Sequence, residues 1–232
     1  MSAGPAAQTR RLTPDLPAFD IPPPQGRFAR FTACFRLGVD HILAGLDHLL
    51  AGLDHLLFVF TLLLLIRRPR PLIAAITAFT LAHSVSVGAA TFGWIVVPDP
   101  PVEVIVALSI FILAAELAQP PCHGLRLTER CPWTVAFRFG LPHGLGFDRA
   151  LIELGLPSGD VPLALVAFNL GVEAGQLLSI AIALAAGLVL SRLMCASTPL
   201  LSPGHPGLRL TAYAIGTLAT VWMLDRMAGF AT

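Results

Sequence analysis

Between residues 41 and 55 the chain reads His41-x5-Asp47-His48 and then, sharing His48, His48-x5-Asp54-His55. The surrounding residues are apolar enough to span a membrane, and there an Asp at a helix centre costs roughly 2.5 to 3.5 kcal/mol to insert. Repeating the pair therefore needs a chemical reason, and the reason this alternation of imidazole and carboxylate suggests is a borderline divalent cation. The repeat is literal, since residues 43–49 and 50–56 are both LAGLDHL. A heptad drifts only about 20° around a helix, so one continuous helix would stack Asp47 over Asp54, and His41 over His48 and His55, as a ladder on one stripe. Successive histidines on it would differ by about 10.5 Å in rise, too far to share an ion, so other helices must close any site.

Candidates for closing it lie in the other apolar runs. His83 follows Thr80 and precedes Ser84; Glu116 and His143 stand alone; Asn169, Glu173 and Gln176 fall at i, i+4 and i+7, one face of a helix. The metal-ligand candidates are thus His41, Asp47, His48, Asp54, His55, His83, Glu116, His143 and Glu173. No Lys or Arg is expected deep in a span, which leaves protons, imidazolium or a metal ion to neutralise the acids. Cys and Met are missing from these positions, which disfavours Cu(I) and suits Ni(II), Co(II) or Zn(II). Blander readings exist for several of these residues: His83 as a helix-to-helix hydrogen-bond donor, Glu173 with Gln176 as a buried polar clamp, and His205 as a solvated loop residue.

The elements that must hold these residues are helices in a bilayer. The chain has 232 residues, 55% of them hydrophobic and 12% charged, with a mean hydropathy of +0.76. This is the composition of an all-α, polytopic integral membrane bundle. A net charge of +1 gives no basic surface for nucleic acid. Apolar runs at 37–66, 72–97, 102–118, 161–190 and 208–227 are each about long enough to cross. A sixth element, 135–156, contains Pro142 with Gly140, Gly144 and Gly146 and is expected to be kinked or re-entrant. Residues 1–36, rich in Pro and Arg, read as a tether before a transmembrane domain at 37–232. Cys34, Cys122, Cys131 and Cys195 show no metal-finger spacing.

Arginine placement orients the bundle. Arg67, Arg68 and Arg70, then Arg126, Arg130 and Arg138, then Arg192 and Arg209 mark alternate loops as cytoplasmic, although five arginines before residue 37 oppose that sense. The run at 37–66 would make about 45 Å of helix against a hydrocarbon core of about 30 Å, one heptad too long.

Several of these residues together resemble the HupE/UreJ family of hydrogenase and urease accessory membrane proteins. The likeness rests on His41-Ile42-Leu43-x-Gly45-x-Asp47-His48, its repeat ending Asp54-His55-Leu56-Leu57-Phe58, and Phe79-Thr80-x2-His83-Ser84. It extends through Val102-Glu103, Ser109-Ile110 and Glu116, Phe139-Gly140-Leu141-x-His143-Gly144-x-Gly146-Phe147, and Ala167-Phe168-Asn169-Leu170-Gly171-Val172-Glu173-x-Gly175-Gln176. The resemblance implies a permease-like protein of six to seven helices in the bacterial inner membrane, supplying nickel or a similar ion to metalloenzyme maturation proteins. It implies that His-x5-Asp-His selects the metal, in either register of the repeat. Two other functions are open on the residues: a non-transporting metal-binding scaffold, and an intramembrane metal-dependent hydrolase, which the lack of HExxH and GxSxG disfavours.

Overall fold

The computed structural model describes residues 26–43, 51–119, 127–145, 161–193, 202 and 205–229. Every element among them is helical: α1 (Arg27–Leu43), α2 (Ala51–Leu65), α3 (Pro69–Thr91), α4 (Asp99–Ala118), α5 (Leu127–Arg130), α6 (Pro132–Leu145), α7 (Val161–Leu193) and α8 (Pro206–Ala228). Of these, α3, α4, α7 and α8 are long and apolar enough to cross a membrane, and α2 is a shorter apolar helix. Pro69 opens α3, because a proline in the first turn lacks only an N–H that would have no partner there.

Three helix pairs make up the bundle, and glycines set two of them. In α1 and α7, Gly38 and Gly171 face each other so closely that a Cβ on Gly38 would strike the Phe168 carbonyl and one on Gly171 the Phe35 carbonyl. Gly175 meets Ile42 further along, so α1 and α7 run parallel. In α3 and α6, Gly140 abuts the Phe79 backbone and Gly144 the His83 backbone, so these two also run parallel. The third pair, α4 and α8, is antiparallel, with Ala114 beside Gly216 at one level and Glu103 beside Arg226 at another. Hydrogen bonds join α3 to α7: Thr77 Oγ1 donates to Glu173 Oε1 at 2.7 Å, Thr80 Oγ1 to Gln176 Oε1 at 3.1 Å, and His83 Nδ1 lies 3.2 Å from Asn169 Oδ1. From Thr77 beside Glu173, through His83 beside Asn169, to Gly88 beside Leu165, the two helices run antiparallel.

Between these pairs runs α2, with Phe58, Val59, Leu62 and Leu65 buried in an apolar core shared with Phe79 of α3, Ile110 and Leu113 of α4, and Ile215 of α8. The far end of α7 behaves differently. From Ala181 to Leu190 nearly every residue is exposed, and the whole helix, 33 residues, is about 50 Å long, more than a hydrocarbon core requires.

One sequence expectation changes here, and a second is covered by the described residues only in part. The run at 37–66 is not one straight helix, since the rings of His41 and His55 lie 4.8 Å apart where a continuous helix would separate them by about 21 Å. Instead α1 and α2 are offset segments. The part of α1 before His41 and the part of α2 after His55 together rise about 36 Å, close to one bilayer. Residues 44–50, where the motif is duplicated, lie outside the described residues. Second, α6 is helical through Pro142 as far as Leu145; the rest of the element expected to be kinked or re-entrant, 146–156, lies outside the described residues. Helix α1 also begins at Arg27, inside the stretch read as a tether.

Candidate metal site

Four helices each contribute one histidine to a single buried cluster. His41 sits in the last turn of α1, His55 in the first turns of α2, His83 two-thirds of the way along α3, and His143 near the end of α6. The ring centroids of His55 lie 4.8 Å from His41, 5.6 Å from His83 and 4.9 Å from His143. One ring nitrogen from each of His41, His55 and His83 can be chosen so that all three lie within 4.8 Å of one another. Phe58, Phe79 and Phe168 pack against the rings and wall the cluster with hydrocarbon.

Hydrogen bonds decide which nitrogens face inward. His143 Nδ1 lies 2.7 Å from the Phe139 carbonyl oxygen, which can only accept, so Nδ1 carries the proton and the neutral ring keeps a lone pair on Nε2. His83 Nδ1 lies 3.2 Å from Asn169 Oδ1. That amide is itself oriented, because Asn169 Nδ2 donates to the Leu165 carbonyl at 2.8 Å. Its oxygen therefore accepts from His83, whose lone pair is again left on Nε2. Both Nε2 atoms are buried and make no hydrogen bond among the described residues. An imidazole fixed through Nδ1–H to a carbonyl or amide oxygen is how proteins orient metal-ligating histidines.

The donor set fits a transition ion. Around a tetrahedral centre with bonds of about 2.0 to 2.1 Å, nitrogen donors stand about 3.4 Å apart, so modest ring movements would close the cluster. Imidazole-only ligation suits Ni(II), Co(II), Zn(II) or Cu(II) and is wrong for Mg(II) or Ca(II), which take oxygen.

The carboxylates are placed differently from the histidines. Asp54 is 4% exposed and pairs with Arg226 of α8, Oδ2 to Nη2 at 2.7 Å, so the expectation that no arginine reaches an intramembrane acid is corrected. Glu116, near the end of α4, accepts from the Thr128 backbone N–H at 2.9 Å and from its hydroxyl at 2.5 Å. Thirteen residues from Glu103 on the same helix, it lies about 20 Å further along the axis. Glu173 accepts from Thr77, the polar-clamp arrangement. Asp47 and His48 lie outside the described residues. Sequence reading did not single out Arg226, whose partner is 172 positions away; its only signal is a charge in the final turn of an apolar run. His205 turns out to cap α8, its Nδ1 accepting from the Gly207 N–H at 3.0 Å.

Residues 24–226 match the family model described as HupE / UreJ protein. No curated protein and no solved structure matches the chain. The matched range takes in α1 through most of α8 and all four clustered histidines, and on that match the chain belongs to the HupE/UreJ family.

Proposed function

We propose that this chain is a permease-like membrane protein in which His41, His55, His83 and His143 take a divalent transition ion, Ni(II) or Co(II), on its way across the bilayer to metalloenzyme assembly. The observation that carries the reading is the pair of buried Nε2 lone pairs on His83 and His143, each fixed by an Nδ1 hydrogen bond, with His83 grouped with His41 and His55 and the His143 ring 4.9 Å from that of His55. Membership of the family points to the same class of ion. The cluster gathers one ligand from each of α1, α2, α3 and α6, so small relative shifts of these helices alter its ligand count, which is what loading and release require.

Asp47 and His48, between the two segments that carry His41 and His55, are proposed as capture ligands on the way to the cluster. Glu116 and Glu173 accept hydrogen bonds from Thr128 and Thr77, and in this reading the ion site itself is built from the histidines.

Reconstitution into liposomes with a fluorescent indicator for Ni(II) inside tests the proposal. Native protein should admit the ion, and His55→Ala and His83→Ala, inserted to the same level, should admit at most a few per cent as much. Metal bound at the cluster without flux under an imposed pH gradient or membrane potential would instead make the chain a non-transporting metal-binding subunit.

A further inference from the structure

The buried carboxylate next to the cluster has a use of its own. Asp54 immediately precedes His55, and the guanidinium that holds it comes from the last turn of α8. Arg226 divides its contacts between two acids. Nη2 lies 2.7 Å from Asp54 Oδ2, Nη1 donates to the Glu103 carbonyl at 3.0 Å, and Nε is 3.7 Å from Glu103 Oε2. The two acids stand in different surroundings, with the Asp54 side chain 6% exposed and that of Glu103 51% exposed. Asp54 Oδ1 is buried and makes no hydrogen bond among the described residues, so half of this carboxylate's acceptor capacity is unspent.

A buried carboxylate needs a cation beside it, and removing its only partner is strongly unfavourable. Four neutral imidazoles supply ligands but no charge. A dication held by His55, the residue next to Asp54 in sequence, would repel the guanidinium, and the half-exposed Glu103 already stands within reach of that guanidinium.

We propose that Arg226 is a tethered counter-cation, holding Asp54 while the histidine cluster is empty and moving over to Glu103 when a divalent ion takes its place. Asp54 thereby changes partner without ever being left bare, and Arg226 competes with the ion for it. The inference rests on the reading of the histidine cluster as a divalent-cation site.

Titration of purified full-length protein in nanodiscs with Co(II), followed by the visible absorption of the bound ion, tests both and separates them. Arg226→Met removes the competitor and should tighten Co(II) binding about tenfold, within the usual range of coupling between sites. Adding Asp54→Asn should abolish that gain. Glu103→Gln, a change at a half-exposed side chain, removes the alternative partner and should weaken binding about threefold when Arg226 is present and not when it is Met. If native protein binds Co(II) and His83→Ala does not, yet Arg226→Met binds no more tightly, the counter-cation role is overturned and the cluster stands. If native protein binds no Co(II), both fall. Should Arg226→Met fail to insert, Glu103→Gln decides alone, and native affinity in that variant overturns the proposal.

Discussion

Histidines in a membrane interior are either ligands or hydrogen-bond donors between helices, and the fixed Nδ1 positions of His83 and His143 let each be both. For His83 the donor reading and the ligand reading describe its two nitrogens. Asn169→Leu, which removes the Nδ1 acceptor, should weaken Co(II) binding by roughly 10- to 100-fold, the usual effect of losing a hydrogen bond behind a metal ligand. His83→Ala should weaken it further, and competition against a chelator of known affinity measures both. All four clustered histidines were legible in the sequence as polar residues in apolar runs, because burying them demands an explanation. The roles of Glu116 and Glu173 were not. Spacing at i, i+4 and i+7 says that Asn169, Glu173 and Gln176 share a face, but not that Thr77 and Thr80 stand opposite them. Arg226 was hidden for the same reason, since its partnership with Asp54 depends wholly on how α8 lies against α2.

At the level of elements, close backbone approach does the positioning. Helices α1 and α7 touch through Gly38 and Gly171, which keeps the His41 ring within reach of Phe168 and His83, while Gly144 lets α6 lie against the His83 backbone and brings His143 in. Gly171→Ala and Gly144→Ala should each destabilise the bundle by about 1 to 3 kcal/mol, as overpacking does, and should also loosen Co(II) binding. Gly187→Ala is the control, because a Cβ there meets nothing within 4 Å, and it should be neutral or stabilise by up to about 1 kcal/mol. Reversible unfolding in mixed micelles checks all three. The small-xxx-small pair Gly171 and Gly175 was readable as a contact surface, although its partner α1 was not. Gly140 and Gly144, which beside Pro142 suggest a broken helix, serve a close crossing with α3 within the part of the element that is helical to Leu145.

Across the whole molecule, the two short helices α1 and α6 lie parallel to the longer α7 and α3, and the α3–α7 hydrogen bonds show that these two pairs run in opposite senses. The cluster forms where the pairs meet. The expectation from arginine bias is that the α2–α3 connection, carrying Arg67, Arg68 and Arg70, faces the cytoplasm. A cysteine placed at Val96, 89% exposed, should then react with an impermeant maleimide on intact spheroplasts, and one at Arg68 only after lysis; the reverse pattern would invert the bundle. An all-helical membrane protein was legible from composition, and so was the surplus heptad in its first apolar run. The offset of α1 from α2 was not, because a repeat that preserves helical register looks on paper like a longer helix. In the fold the rings of His41 and His55, two heptads apart in sequence, lie 4.8 Å from each other.

The central claim is that these four imidazoles share one divalent ion, and X-ray absorption on the Ni(II)- or Co(II)-loaded protein tests it most directly. The account predicts one tightly held ion per chain with a nitrogen shell showing the multiple scattering of several imidazoles, reduced in His55→Ala and His143→Ala. An ion held only by oxygen donors, or a shell unchanged in both variants, would contradict it.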